Sequence, residues 1–116
     1  MDRSNRLTIN ELTLSGQLAA RNALRYTPAG VPILTFRVAH QSRQSEAGAD
    51  RDVGIEMACV AVEAEAKTIA AAPLGIGLKL AGFLAPKGKH SRQVVLHVNE
   101  IEFLEGVSDA PTQQRP

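Results

Sequence analysis

The apolar residues of this chain come in short alternating runs, each cut off by proline, glycine or a cluster of charges. That rhythm restricts the chain to a small β-rich fold. Leu12, Leu14 and Leu18 alternate with polar residues, and Gly16 falls in the same phase, so 12–20 reads as a half-buried strand. A glycine inside such a run suggests a bulge or a sharp bend. T-P-A-G at 27–30 is a turn, with Pro28 presetting its second position and Gly30 suiting its last. A second strand over 32–41 sets Leu34, Phe36, Val38 and His40 against Ile33, Thr35, Arg37 and Ala39. The polar stretch 42–52, with Gly48, reads as a loop. A third strand over 53–62 carries so few charges that both of its faces should be largely buried. The segment 63–72 is alanine-rich, acidic at its start and stopped by Pro73, and is the one good helix. Strands over 77–84 and 94–104 follow, joined by the loop A-P-K-G-K-H-S-R-Q.

Three strands, one short helix and two strands are the element order of the OB fold, an all-β, five-stranded Greek-key barrel. The 116 residues suit one domain. The barrel is expected over 1–106, with a polar, proline-flanked and disordered tail over 107–116. Aromatic residues make up only 3%, so aliphatic side chains must fill the core. A single cysteine, Cys59, excludes an internal disulfide and fits a reducing compartment. No apolar run follows the amino terminus, and none approaches the roughly 18–20 residues of a membrane span. A cytoplasmic protein without membrane contact is expected.

Enzyme chemistry finds no support. His40, His90 and His97 stand far apart with one cysteine, which gives no metal-ligand spacing. No glycine-rich phosphate loop precedes the helix, and G-I-G at 75–77 leads into a strand. No nucleophile motif is present, and no metal or cofactor is implied. Charge is more informative. The net charge is only +1, yet the sequence between Glu11 and Glu46 holds arginines and no acid. The sequence between Glu65 and Glu100 likewise holds only Lys67, Lys79, Lys87, Lys89 and Arg92. Two such segments can build one positive face; read separately, they are solvated strand faces.

The segment R-Y-T-P-A-G-V-P-I-L-T-F-R-V-A at 25–39, after L-T-L-S-G-Q-L, resembles the first two strands of bacterial single-stranded DNA-binding proteins. H-Q-S at 40–42, E-A-G at 46–48 and V-V-L-H-V-N-E-I-E-F-L at 94–104 are more similar to one branch of them, primosomal replication protein N. The absence of tryptophan and of a long linker with an acidic tip points the same way. The resemblance covers roughly residues 5–106. It implies single-stranded DNA binding in replication restart, partnership with the primosomal helicase and other primosome proteins, and a homodimer. It also implies an aromatic at the start of the third strand, where this chain has Gly54. Two other readings stand beside it: a divergent general single-strand-binding protein, and an OB-fold adaptor that binds a protein.

Arginine and lysine make the phosphate contacts that give sequence-independent affinity. The densest candidates are Lys87, Lys89 and Arg92, with His90 between them, in a loop of the kind OB folds use for oligonucleotides. Arg25 matches a basic position of the family. Tyr26 beside it either stacks on a base or packs under the hairpin. Arg37 faces opposite Phe36 and joins the candidate surface. Phe83 shares a face with Lys79, which makes it the phenylalanine best placed outside the core and adds both residues to the set. Arg43 and Arg51 read as solvated surface, and Cys59 as a small buried side chain.

Overall fold

A computed structural model describes residues 8–104. In chain order the elements are β1 (Leu12–Arg21), β2 (Arg25–Tyr26), β3 (Pro32–Glu46), β4 (Ala49–Val62), α1 (Glu63–Ala70), β5 (Gly77–Pro86) and β6 (Val94–Phe103). The tail expected over 107–116 lies outside the described residues.

β1 serves two neighbours. Leu12 to Gln17 pair antiparallel with β5, and Gln17 to Arg21 pair antiparallel with β3. The strand can change partners because Gly16 has no side chain: a β-carbon there would collide with the carbonyl oxygen of Ala39 and with Val38 Cγ1. The irregularity itself lies further on, between Leu18 and Ala20. Gly16 is therefore a site of close backbone approach, and the bulge follows it.

From β5 the sheet runs through β6, β4 and β3 back to β1, which closes the barrel. The β4–β6 junction is parallel and short, with Cys59, Val60 and Ala61 opposite Leu96, His97 and Val98. This is the OB-fold topology that the element order predicts, with the two-residue β2 added on the edge of β3. β2 has no apolar alternation to announce it. It forms because the T-P-A-G turn folds the chain back, with Gly30 N–H donating to Thr27 O at 2.8 Å and Gly30 at φ 86°.

The inward residues are aliphatic. Leu18, Leu34, Val38, Leu78, Leu80 and Leu96 are fully buried with Cys59, and Phe36 is the one buried aromatic. Each large side chain removed from water stabilises by about 1.5–3 kcal/mol. α1 closes one end of the barrel through Ala66 and Ile69, both completely buried. The helix ends at Ala70, before the expected 72, and Ala72 instead packs into the core.

Two expectations fail in the same region. The stretch 42–52 is not a loop: β3 and β4 continue as a paired ribbon to a final pair, Glu46 opposite Ala49. Its tip is Ala47–Gly48, with φ of 55° and 81°, the two positive values that a tight hairpin turn demands. Water covers both faces of the ribbon, so no apolar alternation marks it. Opposite charges mark it instead, with Arg43 Nη1 2.7 Å from Asp52 Oδ1 and Arg51 Nη1 2.8 Å from Glu46 Oε1. The same extension corrects the burial of β4. Only Cys59, Val60 and Ala61 are buried, while Ile55 is exposed, because the strand has left the barrel before that point.

Candidate nucleic-acid interface

Across the outside of the barrel the pairing registers line up one row of residues. Thr35 on β3 faces Val60 on β4, Val60 faces His97 on β6, and His97 faces Phe83 on β5. Alternation points all four away from the core, opposite to buried Leu34, Ala61, Leu96 and Leu78. Arg37 extends this face along β3, opposite Ala58. β2 supplies Arg25 above it, paired with Ile33. The loop after β5 supplies Lys87 from the far side, fixed at its root by Lys87 N–H donating to Gln93 O at 2.8 Å.

Thr35, Val60, His97, Arg37, Arg25 and Lys87 line a groove of about 550 Å³, and Phe83 stands beside it against His97. Its cations are Arg21, Arg25, Arg37 and Lys87, its apolar floor includes Val60 and Val95, and no carboxylate among the described residues lines it. Arg37 has a partner at its edge, Glu56, with Nε 3.9 Å from Oε1 and both side chains more than half exposed. Such a loose, solvated pair is worth about 0–1 kcal/mol and leaves the guanidinium available. Arg21 is more committed. Its Nη1 donates to Ala72 O at 2.7 Å, which ties the end of β1 to the segment after the helix. Cys59 also borders the groove from below. Burial pushes its thiol up to about 12 against the opposing pull of Arg37, so the sulfur stays neutral and adds no charge to the site.

The structure therefore brings Arg25, Arg37 and Lys87 together. Lys89, His90 and Arg92 are exposed on the same loop beyond Lys87, around an inner turn in which Ser91 N–H donates to Gly88 O at 3.1 Å. Tyr26 is exposed, and alternation along β2 turns it away from the side that Arg25 presents to the groove. Phe83 is 41% exposed and stacks on His97, with ring centroids 5.0 Å apart and planes 5° from parallel. Lys79 is not part of this cluster. It stands opposite Glu102 and shares a second hollow with Glu65 and Glu100. Among the phenylalanines, Phe36 is core, but Phe103 is nearly as exposed as Phe83. Sequence reasoning missed Arg21 and His97. The signal for His97 was its outward phase between the apolar Leu96 and Val98.

Gly54 lies on the β4 face that carries Ala58 and Val60, in a hollow with Gln41, Ser42, Asp52 and Val53. A β-carbon there would meet nothing nearer than the Gln41 side chain at 3.9 Å. Nothing in the backbone requires a glycine at this position.

Comparison with known proteins supplies the context for this geometry. A family profile described as "another single-strand binding protein family" matches residues 10–100. The replication restart protein PriB of Nitrosomonas europaea is 33% identical over 103 residues, 89% of this chain and 95% of that protein. The PriB of Bordetella pertussis is 38% identical over 98 residues, covering 84% and 92%. Among solved structures, PriB from Ralstonia solanacearum superposes with a TM-score of 0.76 at 32% identity, covering 83% of this chain and 98% of that one. The single-stranded DNA-binding protein of Thermus aquaticus gives 0.69 at 27% identity, covering 85% of this chain and 52% of that one.

Proposed function

This chain belongs to the PriB family of single-strand-binding proteins, and from that premise we propose that its groove holds single-stranded DNA during replication restart. The observation that carries this reading is the meeting of Arg25, Arg37 and Lys87 in a groove that no carboxylate of the described residues lines. A nearly neutral protein gains no general attraction for DNA from its net charge. It needs its cations gathered where acids are few, and this groove, with Glu56 beside Arg37 at its edge, fits that need among the described residues. Guanidinium and ammonium groups neutralise phosphates and release counterions whatever the base sequence. The loop cations Lys89 and Arg92 extend the track beyond the groove.

In this reading the protein is a binding factor rather than an enzyme. It coats exposed single strands at a stalled fork and presents them to the primosomal helicase, which it stimulates. It acts as a homodimer, so that two grooves sit on one particle. The test is an anisotropy titration of labelled single-stranded and double-stranded DNA. Preferential, salt-sensitive binding of the single strand is expected, and equal or absent binding contradicts the reading. Helicase unwinding with and without the protein tests the assembly role separately.

A further inference from the structure

We propose that the stacked pair Phe83–His97 is the site where a base of the bound strand stacks, with His97 as a direct DNA-contacting residue. The inference rests on the groove being the DNA surface, and it extends that surface past His97, which lines the groove, to Phe83 beside it. Phosphate contacts alone hold a strand by its backbone. Single-strand-binding surfaces also offer aromatic faces, because every base has one.

Few aromatic rings are placed to do this. Phe36 is buried in the core. Tyr26 turns to the other side of β2 from Arg25, and Phe103 stands at the other end of β6, opposite Leu78. Phe83 and His97 remain, and they are already arranged as a stack, 5.0 Å apart and 5° from parallel. The backbone holds them there. Gly82, directly before Phe83, lets β5 lie against the main chain of His97, where a β-carbon would collide with the His97 carbonyl oxygen. The platform is thus fixed before DNA arrives, which reduces the ordering cost of binding.

His97 joins the platform to the cations. Its ring borders the groove that Arg25, Arg37 and Lys87 also line. Neither ring nitrogen has a hydrogen-bond partner among the described residues, so both remain open to a base edge or a phosphate oxygen. A base laid on this pair would have its own phosphate within the cationic rim. One nucleotide would then receive stacking and charge together.

The chain has no tryptophan, so Phe83→Trp places a single indole reporter on the platform. Oligo-dT should quench its emission in step with binding followed by anisotropy, and added salt should reverse both. His97→Ala should weaken binding by about 5- to 150-fold, the range for one lost base stack, with the salt slope unchanged. His97→Tyr should restore most of that loss. Melting curves identify any variant that fails to fold, and in that event the indole reporter still decides. An emission unchanged at saturating DNA, while salt-sensitive binding persists, overturns the platform and leaves the groove reading standing. Parent-like affinity in His97→Ala does the same. If the parent shows no salt-sensitive binding, both fall.

Discussion

The main-chain carbonyl of His97 occupies the space that a β-carbon on Gly82 would need. This contact sits at the irregularity in the β5–β6 pairing, between Ala81 and Gly82, and lets the two strands lie close enough for the next pair, Phe83 and His97, to stack. Gly82→Ala must push a backbone aside rather than a flexible side chain. Overpacking of this kind costs about 1–3 kcal/mol, and the loss here should lie at the upper end. For a domain of this size each kcal/mol lowers Tm by about 4–8 °C. Thermal melting by circular dichroism should show a drop of about 10 °C or more, and an unchanged Tm would contradict the close approach.

At the ribbon tip Ala47 holds φ at 55°, a conformation that alanine adopts at a cost and asparagine tolerates. Ala47→Asn should therefore stabilise the protein by about 0.5–1 kcal/mol, read as a higher urea midpoint at constant m-value. A lower midpoint would mean that the tip is not the tight turn described.

Cys59 is buried against the core, and its thiol is pushed up to about 12. Because the folded value lies above the unfolded one, the unfolded chain gives up its proton first as pH rises. The stability linked to Cys59 is therefore constant below the ordinary thiol range near pH 8.5, and falls as pH climbs from there towards 12. At pH 8 a thiol–disulfide exchange reagent should leave the native protein almost unlabelled and modify it rapidly in denaturant. Fast labelling of the native state would show that the groove floor opens.

Gly54 leaves its hollow open, with no contact closer than 3.9 Å to an added β-carbon. Gly54→Trp should fold with an unchanged Tm. If this end of the face also meets DNA, the indole should tighten binding by about 1–3 kcal/mol without steepening the salt dependence. Unchanged affinity would confine the DNA path to the groove below.

The barrel was legible in the sequence because its inward residues keep a strict period of two. Leu12, Leu14 and Leu18, then Leu34, Phe36 and Val38, declare both strand and face. The β3–β4 ribbon was not, since a two-stranded ribbon in water buries nothing that would mark its phase. Its evidence lay in cross-strand charge, Arg43 with Asp52, which reads locally as a polar loop. The site was half legible for a similar reason. Residue type singles out Arg25, Arg37 and Lys87, but only barrel closure brings them to one groove. Lys79 carries the same charge, and it is separated from them by its register opposite Glu102. In sequence His97 stands apart from the other histidines and from Cys59 and carries no motif, whereas the short parallel β4–β6 pairing places it in the middle of the face.

Arg25, Arg37 and Lys87 are proposed to bind the phosphates of a single strand in one groove. The most direct measurement is the salt dependence of single-stranded DNA affinity for the parent and for Arg25→Ala/Arg37→Ala/Lys87→Ala. Each phosphate neutralised on a single strand contributes about −0.7 to the slope of log affinity against log salt. All three side chains are exposed or line an open groove, so the variant should keep its fold. Weaker binding to every sequence, with a slope flattened by about 2, is the predicted result. A folded variant with the parent's affinity and slope would place the DNA elsewhere on the barrel.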